Sequence, residues 1–264
     1  MSTPLLADAE WVADHLDDPG VRLVDVREPW EYDSIGQLPG AVNIPFDSYR
    51  DETAADPGML PGADAFGALL SEAGISPDDT LVAYDDTHGV FAARFVLTAL
   101  VYGHADVRLL NGDFSAWRRT YQVTTEPPTV SPTQYELDGL VDDAPLVDQR
   151  AVEAAIEAGE TTLLDTREQW EYDEGHLPGA IRLDWMELVD EASRNIRTAD
   201  EIKTLLDERE IPTDREQPII LYCNTARRLS HTFVVLKSIG FTEVSVYEGS
   251  LTDWDRTGQS DTTA

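Results

Sequence analysis

The sequence contains one long motif twice, and this internal repeat is the strongest constraint on the fold. Residues 23–41 are LVDVREPWEYDSIGQLPGA, and residues 163–180 are LLDTREQWEYDEGHLPGA. The two segments match at most positions once a single extra residue is allowed in the first. Further matches follow in the same order along the chain, so we predict two copies of one domain of roughly 125 residues.

Each copy alternates helical patterns with short apolar runs. A helix is predicted at the start of each copy, over residues 7–16 and 150–158. A strand ending in Asp-x-Arg follows, then a short helix, a Leu-Pro-Gly-Ala turn into a second strand, and further helix–strand pairs. Strands that alternate with helices predict a mainly parallel sheet with helices on both faces, so the fold class is α/β.

The predicted boundary between the copies is a segment rich in proline. Residues 124–132 read TTEPPTVSP. Three prolines among Ser and Thr favour an extended linker without its own helix or strand. We therefore predict an N-terminal domain at residues 1–123 and a C-terminal domain at residues 133–264.

The only cysteine, Cys223, lies between a predicted strand and a predicted helix. Residues 219–222 form an apolar, β-branched run typical of a buried strand, and apolar residues at helical spacing predict a helix over residues 228–239. Open α/β sheets bind ligands at the carboxyl ends of their strands, which is where this thiol is expected. The free N–H groups of the helix start, together with Arg227 and Arg228, favour a thiolate or a bound anion there. A small buried hydrophobic role for Cys223 is the alternative.

The charge of the chain restricts its partners. It has 51 acidic and 19 basic residues, for a formal net charge of −32, and its only lysines are Lys203 and Lys237. Self-repulsion of this size fades at about 1 M salt, where the Debye length is ~3 Å, so we expect a protein adapted to high salt, as in halophilic organisms. Nucleic acid is an unfavourable partner for such a surface.

Neither a membrane nor an oxidising compartment is indicated. No run reaches the ~20 apolar residues of a membrane span, and the N-terminus lacks the basic and apolar regions of a secretory signal. A single cysteine excludes an internal disulfide and suits a reducing cytoplasm. We therefore expect a cytoplasmic protein without a membrane partner.

Taken together, the motifs resemble those of the tandem-domain rhodaneses, the thiosulfate and 3-mercaptopyruvate sulfurtransferases. The shared features are the paired Asp-x-Arg strands, the paired Leu-Pro-Gly-Ala turns, the Tyr-Cys loop and two Gly-x-x-x-x-Trp segments, at residues 112–117 and 249–254. In that family the C-terminal domain carries the catalytic cysteine, and the first domain commonly has Asp in its place. Here Asp85 aligns with Cys223, so the resemblance implies the same division between the domains.

The resemblance implies a persulfide mechanism that requires no metal and no organic cofactor. The Cys223 thiolate would attack the outer sulfur of thiosulfate, expel sulfite, and pass the sulfur to cyanide or a thiol. Backbone N–H groups of the following loop would surround the sulfur. The predicted loop residues are Asn224, Thr225, Ala226, Arg227 and Arg228, and the supporting residues are Asp165, Arg167 and Arg182.

Several alternatives stay open at this stage. The donor could be 3-mercaptopyruvate, because Glu171 stands where animal enzymes have a substrate-binding arginine, and Thr225 could donate a hydroxyl as a serine does in mercaptopyruvate enzymes. Ala226 stands where the family usually has Gly, so a slightly different or strained loop is expected. A sulfur carrier or binding module without turnover is a third possibility. A phosphatase is disfavoured, because related phosphatases have Cys-x5-Arg whereas this loop is Cys-x4-Arg.

The supporting residues also have structural interpretations. Arg167 is expected to pair with a carboxylate and brace the site, and Arg182 to be an exposed arginine unless it reaches an anionic donor. His231 is expected to pack rather than act as a base. The six tryptophans, which mostly recur at matching positions of the repeat, are expected in packed interiors.

Overall fold

The computed structural model describes residues 4–51 and 59–256. The predicted termini of the two domains, residues 1 and 264, lie outside these ranges. Within them the chain forms two compact units. The first unit contains residues 4–51, 60–144 and 191–195, and the second contains residues 145–190 and 196–256.

The first unit is built from five strands and five α-helices. Its strands are β1 (Leu6–Asp8), β2 (Val21–Asp25), β3 (Val42–Asn43), β4 (Thr80–Tyr84) and β5 (Val107–Asn111). Its helices are α1 (Ala9–Asp14), α2 (Pro29–Ile35), α3 (Ala63–Glu72), α4 (Val90–Val101) and α5 (Phe114–Trp117). The strands are all parallel and lie in the order β1-β5-β4-β2-β3.

Helices cover both faces of this sheet, and the central strand β4 is consequently buried on both sides. Val82 and Tyr84 belong to an apolar cluster on one face, together with Trp117 of α5. Leu81 and Ala83 alternate with them and are fully buried on the opposite face, where α4 packs against β4. Burial on both faces explains the uninterrupted apolar run of β4, and the predicted α/β architecture is confirmed.

The second unit repeats this arrangement. Its sheet strands are β6 (Leu146–Val147), β7 (Thr162–Asp165), β8 (Ile181–Arg182), β11 (Ile219–Tyr222) and β12 (Val244–Tyr247). Its helices are α6 (Gln149–Ala158), α7 (Gln169–Glu174), α8 (Ala199–Glu208), α9 (Arg227–Ser238) and α10 (Ser250–Arg256). The parallel strands lie in the order β6-β12-β11-β7-β8, with the strand that precedes Cys223 at the centre. No helix in the described ranges is long and apolar enough to cross a bilayer.

A separate pair of short strands, β9 (Val189–Asp190) and β10 (Asn195–Ile196), interrupts the second half of the chain. The residues between them and the first residue of β10, together Glu191–Asn195, belong to the first unit. Arg194 holds this segment in place, because its guanidinium pairs with the fully buried carboxylate of Asp113 at 2.6 Å and lies 3.5 Å from that of Asp86. The sequence pattern does not predict that a segment from the second half of the chain belongs to the first unit.

Both predicted first helices are present, the second to within one residue of its predicted start, and each is preceded by a short strand that the sequence pattern does not predict. The first helix starts at Ala9 rather than at residue 7, and Leu6–Asp8 pair with β5 instead. In the second copy Leu146–Val147 pair with β12, and the helix starts at Gln149. Strands this short show no alternation of apolar and polar residues, so periodicity does not reveal them.

The chain after the predicted linker is attached to the first unit through residue 144. The Thr133 N–H donates to the Ser71 carbonyl, and the Val141 N–H donates to that of Val101. Tyr135 is buried, with 6 % of its surface exposed. In the structure, residues 133–144 therefore belong to the first unit, whereas the sequence-based boundary places them in the C-terminal domain. Single backbone hydrogen bonds and the buried Tyr135 hold this segment, which contains no helix or strand that a sequence pattern could reveal.

Of the six tryptophans, four form one buried and one exposed pair, and Trp11 and Trp185 are partly buried. Trp117 and Trp254, from the matching Gly-x-x-x-x-Trp segments, are buried as expected. Trp30 and Trp170, which also match each other, are 61 % and 58 % exposed, so the expectation of interior packing is wrong for this pair. Both lie in the first turn of a short helix, where the neighbouring Tyr32 and Tyr172 face inward instead.

His104, which contacts Tyr135, gives the stability of the first unit a testable pH dependence. The His104 Nε2 lies 2.9 Å from the Asp79 carbonyl, which makes Nε2 the donor and leaves Nδ1 to accept from the Tyr135 hydroxyl at 2.5 Å. Burial lowers the pKa of His104. Because the unfolded chain then binds the proton more readily, this contribution to stability is present above about pH 6.5 and is lost as the pH falls.

We therefore expect His104→Gln to reduce the loss of unfolding free energy between pH 7.5 and 5.5, measured by urea denaturation at fixed salt. His15→Gln is the control, because His15 bonds only to the carbonyl of Trp11 in its own helix. If both variants keep the slope of the unmodified chain, the buried histidine is not the source of the pH dependence.

Candidate active site

Cys223 directly follows the central strand β11, and its side chain is almost fully enclosed. The residue is 1 % exposed. Its N–H donates to the Ser250 hydroxyl at 3.1 Å, and its carbonyl accepts from the Leu251 N–H at 3.2 Å. The Thr252 hydroxyl also donates to the Asn224 carbonyl at 2.8 Å. The first turn of α10 therefore fixes the backbone on which the thiol is carried.

The loop after the cysteine is short and turns sharply into α9. Asn224 is partly buried, Thr225 is exposed and Ala226 is buried. Ala226 has a φ of 62°, in the left-handed region that favours glycine, and α9 begins at the next residue. The family's glycine position is thus occupied by alanine in a glycine-like conformation. In the first unit, where four residues rather than three separate Asp85 from the helix, the corresponding residue before α4 is Gly89, with a φ of 83°.

The corresponding loop of the first unit is one residue longer and shows what the backbone at such a strand end can bind. Asp85 stands at the position of Cys223, and its carboxylate is 1 % exposed. Four backbone N–H groups donate to it: those of Thr87 at 2.7 Å, Gly89 at 2.8 Å, Phe91 at 2.8 Å and Ala92 at 3.0 Å. Burial raises the pKa of the Asp85 carboxyl, and these four donors oppose that rise. The loop is therefore a cradle for one anion, filled in this unit by its own side chain.

An ion pair braces the strand next to the cysteine. Arg167 donates to the fully buried Asp165 through Nε at 2.9 Å and Nη2 at 2.6 Å, and to the Gly175 carbonyl at 2.7 Å. The first unit has the same pair, Arg27 with Asp25. Because the unit without a cysteine also contains it, this pair serves the architecture of both domains.

Arg167 also lies beside the loop. Its Nη1 is 3.4 Å from the Asn224 side-chain oxygen. Behind it, the Tyr222 hydroxyl accepts from the Leu177 N–H at 3.1 Å, and burial together with the Asp165 charge raises the pKa of Tyr222. The brace thus connects Asp165 to the loop through Arg167 and to the Leu-Pro-Gly-Ala turn through Tyr222.

Arg228 meets a carboxylate at the mouth of the loop. Its Nη2 donates to Glu171 Oε1 at 2.8 Å and its Nη1 donates to Oε2. Asn224 donates to the same Oε1 at 2.8 Å. Although burial alone would raise it, the pKa of Glu171 is lowered by this guanidinium. Arg228 also interacts electrostatically with Cys223, and its pKa is raised by its anionic neighbours against the effect of burial.

The remaining predicted residues have different surroundings. Arg227 is partly buried in the first turn of α9. Arg182 donates to Glu187 at 2.7 Å and lies 3.6 Å from Asp184, with a side chain only 12 % exposed, so the expectation of an exposed arginine is wrong. His231 is fully buried with its ring 5.2 Å from that of Trp185, as expected for a packing residue.

Comparison with known proteins identifies the fold family. A model of the rhodanese-like domain matches residues 8–120 and again residues 148–257. The chain belongs to the rhodanese family. It is 34 % identical to the thiosulfate sulfurtransferase of Corynebacterium glutamicum, over 94 % of this chain and 87 % of that one. It is 31 % identical to the sulfur carrier protein TtuD of Thermus thermophilus, over 95 % of this chain and 93 % of that one.

A solved rhodanese structure extends the likeness to three dimensions. SseA of Escherichia coli, described as a 3-mercaptopyruvate sulfotransferase, superposes with a TM-score of 0.83 at 26 % identity. The match covers 94 % of this chain and 99 % of SseA. The tandem arrangement of two rhodanese domains predicted from the motifs is therefore confirmed.

Sequence reasoning missed two contributors to this site. Ser250 has a left-handed φ of 53°, and its hydroxyl lies 4.0 Å from the Cys223 sulfur. Its position directly after Gly249 in a repeated Gly-x-x-x-x-Trp segment is the signal that could have pointed to it. The pairing of Glu171 with Arg228 joins residues 57 positions apart, and no local pattern indicates it.

The filled cradle of the first unit predicts a large cost for changing Asp85. In Asp85→Asn the amide keeps one acceptor oxygen and turns an NH2 group toward N–H donors. We expect the free energy of unfolding to fall by about 3 kcal/mol, measured by urea denaturation at high salt. Asp78→Asn, at an exposed acid, should change it by less than about 0.5 kcal/mol. Equal effects of both substitutions would contradict the cradle.

The left-handed conformation of Ala226 predicts a stabilising substitution. The left-handed region costs a residue with a Cβ atom about 1 kcal/mol, which glycine does not incur. We expect Ala226→Gly to raise the unfolding free energy by up to about 1 kcal/mol. The same change at Ala155, inside α6, should lower it by a similar amount. A loss of stability in both variants would show that Ala226 is not strained.

Proposed function

We propose that this chain is a sulfurtransferase that carries a sulfane sulfur as a persulfide on Cys223. The observation that supports this most strongly is the pair of matching loops. In the first unit four N–H groups surround the carboxylate of Asp85. In the second, a thiol takes the place of that carboxylate, so a persulfide anion formed there would enter a backbone shaped for negative charge.

The reaction follows from ordinary thiolate chemistry. The Cys223 thiolate attacks the outer sulfur of thiosulfate, a new S–S bond forms, and sulfite leaves with the electron pair of the broken S–S bond. Cyanide or a thiolate then attacks the outer sulfur of the persulfide and takes it, which returns the Cys223 thiolate. The atoms and electrons balance in both steps without a metal or an organic cofactor.

The other predicted residues are assigned roles around this sulfur. The N–H groups of Asn224, Thr225, Ala226, Arg227 and Arg228 form the persulfide-binding loop. Asp165 and Arg167 hold the loop in register with β7, and Arg182 orders the tip of β8 through its carboxylate partners. Only three residues separate the thiol from α9, which favours a cradle for a sulfur atom over one that encircles a phosphate.

Thiosulfate is the proposed donor, and 3-mercaptopyruvate is the alternative. Similar proteins bear both names: the relative from C. glutamicum is a thiosulfate sulfurtransferase, and SseA is described as a 3-mercaptopyruvate sulfotransferase. A sulfur carrier without turnover of small donors is the proposal from another class. It draws support from the likeness to TtuD, a protein named as a sulfur carrier.

We further propose that the protein works in the cytoplasm at high salt, without nucleic acid or membrane partners. A net charge of −32 supports the salt and nucleic-acid proposals, because repulsion among so many carboxylates weakens only when ions screen it. One cysteine, with its thiol free, suits a reducing compartment.

The test is intact-protein mass spectrometry after incubation with thiosulfate or 3-mercaptopyruvate in concentrated KCl. We expect a gain of one sulfur atom, its removal by cyanide, and no gain in Cys223→Ser, which is nearly isosteric. The donor that loads Cys223 faster identifies the substrate. A gain of sulfur in Cys223→Ser would overturn the mechanism, and no gain with either donor would favour the carrier.

A further inference from the structure

Glu171 has a structural role that is common to both repeats. The N–H of Glu168 donates to its Oε2 at 3.2 Å, which completes a capping box at the start of α7. In the first unit the N–H of Glu28 donates to Glu31 Oε2 at the same distance, in the matching box of α2. Helix capping therefore accounts for a glutamate at this position of each repeat.

Only Glu171 has a second set of partners that involves the cysteine loop. Both its oxygens accept from Arg228, and Oε1 also accepts from Asn224. At the corresponding positions the first unit has Phe91, the second residue of α4 as Arg228 is of α9, and Asp86, directly after Asp85, and neither carries positive charge. The contacts to the loop are therefore not a consequence of the cap. They exist only in the unit that has the thiol.

This pairing determines how much positive charge the loop offers to an incoming anion. The Arg228 and Glu171 side chains are only 13 % and 9 % exposed, so water screens their attraction weakly. A guanidinium that binds a carboxylate through two nitrogens has its preferred anion-binding edge occupied. Arg228 lies in the first turn of α9, at the end of the loop that follows Cys223, so an anionic donor that binds this guanidinium has to compete with Glu171.

We propose that Glu171 is a specificity-determining residue that masks Arg228 and Asn224 and thereby weakens the binding of anionic sulfur donors. The inference rests on the proposed function for the identity of the donor, although the masking itself is a binding property. The loss of donor affinity that Glu171 causes grows with the negative charge that the donor places beside Arg228. It is therefore larger for thiosulfate, a dianion, than for 3-mercaptopyruvate, which carries a single carboxylate.

Glu171→Gln tests the proposal without removing the helix cap, because a glutamine at this position still accepts the N–H of Glu168. We would titrate thiosulfate into Cys223→Ser by calorimetry, with and without Glu171→Gln, at one fixed concentration of KCl. The dissociation constant is expected to fall about tenfold when the carboxylate is neutralised. The background lacks the thiol, so binding is measured apart from sulfur transfer.

Two matched controls isolate the charge at this one position. Glu31→Gln makes the same change in the same capping box of the other unit, and Glu174→Gln makes it at an exposed position of α7 itself. Both should leave the dissociation constant within about twofold of the background. A similar shift in Glu31→Gln, or no tightening in Glu171→Gln, would overturn the proposal, as would a lack of detectable binding in every variant.

Kinetics with the thiol present give a second measurement. In Glu171→Gln we expect KM for thiosulfate to fall with kcat little changed, and KM for 3-mercaptopyruvate to fall less. A loss of kcat at constant KM would mean that Glu171 positions Arg228 for the reaction, and the masking would be wrong. Failure of the proposed function is distinguishable, because it is the absence of a persulfide on Cys223 whatever the titrations give.

Discussion

Backbone N–H groups that converge on Asp85, at the end of the central strand β4, are the interaction on which the first unit depends and from which the proposed site of the second is inferred. The start of a helix leaves its first N–H groups without helical partners, and buried donors need an acceptor. In the first unit Asp85 supplies it, with four donors on one carboxylate. In the second unit the matching residue is Cys223. The parallel sheet, the left-handed residue and the following helix are what bring such donors to one point.

The electrostatics of the site are local, because the overall charge of the protein works against its proposed substrates. A surface with a net charge of −32 repels anions over long distances at low salt. At about 1 M salt the Debye length of ~3 Å leaves only charges in contact to act. Under these proposed conditions, donor selection would depend on groups such as Arg228 and Glu171, which touch each other and have side chains that are only 13 % and 9 % exposed. An acidic surface and an anion-binding loop are then compatible in one molecule.

Periodic and repeated features of the fold could be predicted from the sequence, and short or long-range ones could not. Residues 219–222 and the helix after Cys223 follow from hydrophobic patterns, and the structure has them as β11 and α9. The strands β1 and β6 are too short to carry a pattern. Residues 133–144 join the first unit through the buried Tyr135, a contact that depends on tertiary packing.

The candidate site was predictable to a similar extent. The position of Cys223, its loop and the Asp165–Arg167 pair follow from motifs that recur along the chain. Glu171 is different, because it belongs to a motif shared by both repeats and yet contacts Arg228, which only one repeat has. Ser250 reaches the cysteine from a helix 27 positions further along the chain. Both depend on how separate segments meet, which a single sequence does not encode in any local pattern.

The two loops also explain why a duplicated domain keeps only one reactive site. A carboxylate fixed in the first cradle satisfies the donors permanently, which favours stability and leaves nothing to react. At the corresponding position of the second unit stands the thiol of Cys223, which presents a negative charge only as a thiolate or a persulfide, so this position is open to chemistry. The neighbouring cations differ as well, because Asp85 interacts electrostatically with Arg194 of the segment that joins the first unit, whereas Cys223 interacts with Arg228 at the start of α9.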